Sequence, residues 1–241
     1  MHEQKNFMQF PRLVCAFSNR HQQNMSLAYG DISQALPSRK CFLEPLGIDY
    51  RCLVAAEQTH GCGIACVRAA DKGRGALIYD TAFKSTDAFI TAEPFVPVSI
   101  FTADCLSVFI YDTKTHVLGL VHAGWKGTAA GIVAKAVLKM QREFNAEPKN
   151  MAVGLGPAIR KCCYQVGGEF NEFFTLGVYK AENSYYLDLI EINVSQLLES
   201  GIDRGRITDS GICTACQAED FFSYRKEGTF CGRSMSVMML R

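Results

Sequence analysis

Residues 102–128 read TADCLSVFIYDTKTHVLGLVHAGWKGT, and this stretch decides the fold. Two apolar runs, LSVFIY and VLGLVH, flank the polar segment DTKTH, a pattern that predicts a β-hairpin. A turn centred on Thr113 and Lys114 pairs Cys105 with His122 across the two strands. Directly opposed residues have Cβ atoms about 4.5–5.5 Å apart, so this thiol and imidazole can share a metal ion or act as nucleophile and base. The pairing depends on the register, because a slip of one residue turns every side chain to the other face.

The composition indicates a soluble globular protein. With 241 residues, 48% of them hydrophobic, the chain can bury a core, and we expect a single domain over residues 1–241. A formal net charge of +1 provides no electrostatic basis for binding nucleic acid or an anionic membrane. The longest apolar stretch is interrupted by Thr102 and Asp104 and is too short to span a bilayer. The N-terminal segment lacks the pattern of a signal peptide, so we expect a cytoplasmic location.

The cysteines predict thiols rather than a disulfide framework. There are eleven, an odd number, and no secretory signal accompanies them. Most lie in apolar surroundings and are expected to be small core residues. The motif CTAC at 213–216 has the spacing of a zinc or redox pair, but zinc needs four ligands and no second pair with finger-like spacing follows. We therefore expect a structural role for Cys213 and Cys216.

Short strands and helices alternate along the rest of the chain without regular βαβ repeats, which favours an α+β architecture. Strands are expected at Leu13–Phe17, 51–57, 86–91, 96–101, 151–157 and within 232–241. Helices are expected at Ser38–Leu46, from an N-cap at Thr128 onward, and over 187–201 with Leu189, Ile192, Leu197 and Leu198 facing the core.

Five motifs carry a family resemblance across nearly the whole chain. They are QTHG at 58–61, TADC at 102–105, HAGWKGT at 122–128, GPAIRKCCYQVG at 156–167 and FFSYR at 221–225. In this order they resemble the signature blocks of the YfiH family. That family is also called the laccase-domain or multicopper polyphenol oxidoreductase family, and it includes purine nucleoside phosphorylase and adenosine deaminase enzymes related to human FAMIN. The resemblance implies a single-domain, four-layer α/β/β/α sandwich with mixed sheets, and a metal held by His60, Cys105 and His122.

The chain departs from the family pattern at three places. Asn19 stands where the family usually has threonine, and residues 21–23 replace glycines. Lys126 stands where arginine is usual, which keeps the positive charge but loses the planar fork that binds phosphate through two hydrogen bonds.

The resemblance implies a zinc-dependent purine nucleoside enzyme. Two histidines and one cysteine leave one position of a tetrahedral zinc ion open, as in catalytic sites, where zinc activates water. The implied reactions are phosphorolysis of adenosine, inosine or methylthioadenosine to base and ribose 1-phosphate, and deamination of adenosine. Phosphorolysis requires a cationic phosphate pocket, for which Arg20 is the leading candidate, followed by Lys126 and the backbone amides of Gly127 to Ala129. Asp104 is a candidate for proton transfer, with a structural cap as the alternative.

Two other enzymatic readings stay open. Two histidines and a cysteine also form the ligand set of blue-copper sites, so copper-dependent oxidation of phenols is one alternative. A multicopper oxidase needs a further cluster built largely from imidazoles, however, and the chain has only five histidines. The other alternative is a metal-free amide hydrolase, with Cys105 as nucleophile and His122 as base, that edits peptidoglycan precursors. His60 discriminates, because a metal site needs it and a dyad does not.

Overall fold

The structure of the protein, a computed structural model, describes residues 2–3, 7 and 9–241. The strands in these ranges are β1 (His2–Glu3), β2 (Leu13–Phe17), β3 (Ile64–Cys66), β4 (Ala88–Thr91), β5 (Val98–Thr102), β6 (Leu106–Asp112), β7 (Leu118–Ala123), β8 (Met151–Leu155), β9 (Gln165–Val166), β10 (Val178–Ala181), β11 (Ser184–Leu187), β12 (Ile207–Asp209) and β13 (Ser234–Leu240). The α-helices are α1 (Ala35–Leu43), α2 (Trp125–Ala129), α3 (Ile132–Phe144), α4 (Leu189–Glu199) and α5 (Tyr224–Glu227).

The predicted hairpin lies in the middle of a six-stranded mixed sheet with the order β12, β8, β6, β7, β4, β3. Strand β6 pairs antiparallel with β7 and β8, whereas β12 with β8 and β3 with β4 are parallel. Every residue of β6 is buried, because both faces of the sheet are covered. Its side chains alternate between the faces: Val108 and Ile110 pack in the cluster with α3, and Phe109 and Tyr111 face a second sheet.

The second sheet has the order β1, β2, β13, β5 and packs face to face on the first. Its outer face carries Val14 and Met239 against Phe42 and Leu43 of α1. The layers therefore run from α3 and α4, through the six-stranded sheet and the four-stranded sheet, to α1. This confirms the predicted α+β, four-layer α/β/β/α sandwich.

A small third sheet, with the order β10, β11, β9, lies outside these layers. Its apolar side chains form a cluster with Phe174, Leu189 and Ile192, against which Trp125 of α2 packs. The small sheet therefore adjoins the short helix that follows the hairpin.

The hairpin register differs from the predicted one by two residues. His122 pairs with Ser107 rather than with Cys105. The loop lies further along the chain than expected, because the carboxylate of Asp112 accepts hydrogen bonds from the amides of Lys114 and Thr115 at 2.8 and 3.1 Å. A shift of two residues keeps each side chain on its predicted face. Cys105 and His122 are therefore diagonal rather than direct neighbours.

The prediction that Thr128 caps the helix after the hairpin was wrong. Helix α2 starts after Gly124, and the Thr128 amide donates to the Gly124 carbonyl at 2.8 Å. Gly131, with a φ of 70°, then separates α2 from α3. The Thr128 hydroxyl instead lies 3.1 Å from Nδ2 of Asn193, which links α2 to α4.

Two further local predictions were wrong. Residues 51–57 form no regular strand: Val54 and Ala56 make isolated bridges to Val98 and Phe83. Leu198, which we expected in the core, is 41% exposed, because α4 buries its other face. Within the described ranges, no helix has the length and apolar composition that crossing a membrane requires.

Candidate functional site

Three segments that are distant in sequence bring two imidazoles and one thiol together. His122 lies in β7, Cys105 directly precedes β6, and His60 lies in the loop before β3. Their potential ligand atoms are all within 4.8 Å of one another, and the two imidazole rings meet edge to face with centroids 4.8 Å apart. A Cβ atom at Gly124 would lie 3.1 Å from Cys105 Sγ and 3.2 Å from His60 Cδ2, so this glycine leaves room for the three side chains.

A buried carboxylate that the sequence analysis did not single out orients this group. Oδ1 of Asp87 lies 2.8 Å from Nδ1 of His122 and accepts the His60 amide hydrogen at 2.9 Å. Oδ2 accepts the Gly61 amide hydrogen at 2.8 Å. These contacts hold the left-handed backbone of His60, whose φ is 59°, and leave Nε2 of His122 for a ligand. The only signal in the sequence was an acidic residue at the start of the apolar strand β4.

The pKa shifts favour a thiolate beside an imidazolium. Burial acts to raise the pKa of Cys105, but the charge of His122 and hydrogen bonds from both histidines outweigh it and lower the pKa to about 6. Burial would lower the pKa of His122, but the Cys105 thiolate and the hydrogen bond to Asp87 raise it to about 9. The thiolate is therefore available as a metal ligand at neutral pH, when the metal displaces the imidazole proton.

Zinc fits this donor set. Imidazole and thiolate are its preferred ligands, and the Asp87 contact is the carboxylate partner that metal-ligating histidines usually have. The described residues supply no fourth histidine, cysteine or acidic donor at this point. A tetrahedral ion held here would keep one position for water or substrate, which is the mark of a catalytic rather than a structural site.

The three side chains open into a cavity of about 520 Å³. The residues that line it include six aromatic ones, namely Tyr29, Tyr79, Phe101, Trp125, Tyr164 and Tyr224. A cavity of this size and lining suits a small ligand with a planar, apolar part.

Asp104, the predicted proton-transfer residue, lines the cavity but is fully engaged with the protein. Its carboxylate accepts hydrogen bonds from the Thr214 hydroxyl at 2.6 Å, the Ser223 hydroxyl at 3.1 Å and the Arg225 amide at 2.7 Å. Its φ of 83° places it in a strained turn directly before Cys105. This geometry favours the structural cap over proton transfer.

The structure separates the two predicted phosphate-binding residues. Lys126 lines the cavity, whereas Arg20 is not among its lining residues. The Arg20 guanidinium forms an ion pair with Glu227, donates to the Ala218 carbonyl at 2.6 Å and lies over the ring of Phe222. Its position therefore does not support the predicted role in phosphate binding.

Three arginines that the sequence analysis did not propose line the cavity together with Lys126: Arg39, Arg225 and Arg233. Arg39 is buried, and its guanidinium donates to main-chain carbonyls. Burial lowers its pKa to about 9. Among the described residues none of these four cations forms an ion pair with a carboxylate. An anionic ligand would supply the missing negative charge.

Comparisons with known proteins agree with this fold and identify the family. The family model described as multi-copper polyphenol oxidoreductase laccase matches residues 15–241. Purine nucleoside phosphorylase YlmD of Geobacillus stearothermophilus is 33% identical over 225 residues, which cover 89% of this chain and 82% of that protein. Adenosine deaminase RL5, from an unknown prokaryotic organism, is 28% identical over 215 residues, covering 86% and 82%.

The solved structure of a hypothetical protein YfiH of Bacillus licheniformis is also similar. It superposes with a TM-score of 0.91 at 32% identity, over 98% of this chain and 94% of that chain. The shared fold, the family-model match over nearly the whole chain and the blocks that carry His60, Cys105 and His122 lead to one conclusion. The chain belongs to the multi-copper polyphenol oxidoreductase laccase family, also called the YfiH family.

Proposed function

We propose that the protein is a zinc-dependent purine nucleoside enzyme. It cleaves adenosine, inosine or methylthioadenosine with phosphate, giving the free base and ribose 1-phosphate, and it deaminates adenosine in the same cavity. One observation carries the proposal: the His60–Cys105–His122 group, which can hold a zinc ion, shares a single cavity with four cations that have no carboxylate partner among the described residues. The names of the relatives YlmD and RL5 support the same substrate class.

Each part of the cavity has a distinct task in this proposal. The aromatic wall holds the purine, because every base presents an apolar face that stacks on such rings. Lys126, Arg225 and Arg233 hold the phosphate by charge-assisted hydrogen bonds. A zinc ion at His60, Cys105 and His122 would supply Lewis-acid chemistry and acidify water. Asp87 keeps His122 in the tautomer and orientation that ligation requires.

Phosphorolysis makes a clear demand on the cationic side chains. A phosphate oxygen bonds to the anomeric carbon while the glycosidic bond breaks. The electron pair of the glycosidic bond leaves with the base, which takes up a proton. The phosphate must therefore be held beside the ribose with its negative charge compensated but its attacking oxygen accessible. Cations that project from the wall of one cavity meet this demand.

Chromatography of the products formed with and without phosphate tests the proposal. Inosine should give hypoxanthine only when phosphate is present, whereas adenosine without phosphate should give inosine and no free base. Cys105→Ala should abolish both reactions, and Cys41→Ala, at an exposed cysteine outside the cavity, should abolish neither. Failure of the zinc-loaded protein to convert any of the three nucleosides would contradict the proposal.

Two specific observations favour other chemistry at the same site. The lowered pKa of Cys105 next to His122 also suits a nucleophile and base, as in a Cys-His amide hydrolase. The family description and the His-Cys-His donor set suit copper and oxidation of phenols. His60→Ala separates these readings from one another, because a dyad should survive this substitution whereas copper- or zinc-dependent activity should be lost.

A further inference from the structure

Four cysteines outside the cavity meet at one point of the structure. Cys162 and Cys163 lie in the turn after β8, and Cys213 and Cys216 lie in the turn after β12. Their four sulfur atoms are all within 4.8 Å of one another. Cysteines from the two turns are in contact, with Sγ–Sγ distances of 3.6 Å for Cys162 with Cys216 and 3.3 Å for Cys163 with Cys216.

These distances match a shared metal ion better than a disulfide. Four thiolates at about 2.3 Å from a tetrahedral zinc ion have sulfur atoms about 3.8 Å apart. A disulfide would need about 2.05 Å. The observed sulfur–sulfur distances are therefore close to those between ligands of one metal ion.

The backbone holds the two turns together independently of any ion. Ala158 and Cys213 form a parallel bridge, and the Thr214 amide donates to the Ala158 carbonyl at 3.1 Å. The Arg160 side chain donates to the Ile212 carbonyl at 3.0 Å and forms an ion pair with Asp209. The turns are thus positioned before a metal arrives, which reduces the entropy lost on binding.

We propose that Cys162, Cys163, Cys213 and Cys216 form a second, structural zinc site, separate from the His60–Cys105–His122 site. Four soft thiolates in tetrahedral arrangement select zinc or iron–sulfur chemistry, and a single ion with four protein ligands is closed to substrate. The site joins the two turns through metal–sulfur bonds, in addition to the hydrogen bonds, the ion pair and the apolar packing of Ile159 against Cys213 and Ala215.

The site acts on the cavity through the residues next to its ligands. Tyr164, adjacent to Cys163, and Ile159 line the cavity, and the Thr214 hydroxyl donates to Asp104. The Arg225 guanidinium donates to the carbonyls of Cys163 and Gln165 at 3.2 and 2.9 Å. The zinc ion therefore fixes one wall of the cavity without contacting the substrate.

Elemental analysis of purified variants tests this site independently of activity. The unmodified protein should bind about two zinc equivalents per chain, and Cys216→Ser should bind about one. Cys41→Ser, an exposed cysteine outside both clusters, is the matched control and should retain both. A metal content unchanged by Cys216→Ser would overturn the proposal, as would iron in place of zinc.

A second variant keeps the test valid if Cys216→Ser does not fold. His60→Ala combined with His122→Ala removes the other site, and the remaining ion should be about one zinc per chain. Cobalt substituted into this variant should show the strong sulfur-to-metal absorption of a tetrahedral site with four thiolates. Absence of bound metal in this folded variant, or a disulfide between the two turns in its non-reduced mass spectrum, would contradict the zinc site. Both tests measure bound metal rather than nucleoside conversion, so the second zinc site and the proposed enzymatic function can fail separately.

Discussion

The ion pairs of individual cations decide which of them can bind phosphate. Lys126 lines the cavity without a carboxylate partner among the described residues, whereas Arg20 is paired with Glu227. Lys126→Ala should raise the KM for phosphate about ten- to a hundredfold, because a charge-assisted hydrogen bond contributes about 1.5–3 kcal/mol. Lys126→Arg should retain most of the affinity for phosphate, because it keeps the positive charge. Phosphate-dependent initial rates with inosine measure both effects.

Arg20→Ala is the contrasting variant. It should leave the KM for phosphate unchanged but lower the free energy of unfolding by about 1–2 kcal/mol, because Glu227 loses its partner. If Arg20→Ala weakened phosphate binding more than Lys126→Ala does, Arg20 would be the phosphate-binding residue, as the sequence predicted. The assignment of this role to Lys126 would then be wrong.

The ionisation of Cys105 gives a second prediction at the scale of one residue. Alkylation requires the thiolate, which forms as pH rises through the pKa. With that pKa lowered to about 6 from an ordinary 9.0, Cys105 in metal-free protein should react half-maximally near pH 6. Peptide mapping after iodoacetamide treatment measures this, and added zinc should protect the residue. Half-maximal reaction near pH 9 would mean that the histidines do not stabilise the thiolate.

At the scale of elements, α3 packs unusually close to β7 at Gly119. A Cβ atom on this glycine would lie 3.1 Å from Sδ of Met140. Gly119→Val should therefore destabilise the protein by about 1–3 kcal/mol through overpacking, as measured by urea denaturation. Adding Met140→Ala should recover part of this loss, because the valine side chain would then occupy the space that the Met140 side chain leaves. Strictly additive effects of the two substitutions would show that the helix and strand do not compete for it.

At the scale of the whole molecule, the shared apolar layer between the two large sheets predicts cooperative unfolding of one domain. The only tryptophan, Trp125, packs in the cluster of the small third sheet and reports on that region. Tryptophan fluorescence and far-ultraviolet circular dichroism should therefore give coincident denaturation curves. A separate fluorescence transition would show that the small sheet unfolds on its own and that the chain is not a single cooperative unit.

Local patterns in the sequence identified the hairpin and placed Cys105 and His122 near each other, whereas His60 was assigned through the resemblance to the family motifs. Periodicity reports which side chains share a face, and the faces of β6 and β7 hold even though their register was shifted by two residues. The shift escaped prediction because the Asp112 side chain, rather than the apolar pattern, determines where the loop closes.

The sequence by itself determined the central hairpin, the layered α+β fold through its family motifs, and the candidate ligands His60, Cys105 and His122. Only the tertiary structure revealed Asp87 behind His122, removed Arg20 from the cavity and gathered the four cysteines. The physical reason is that ion pairs, buried carboxylates and metal clusters depend on contacts between residues far apart in the chain. Spacing along one segment cannot encode such contacts.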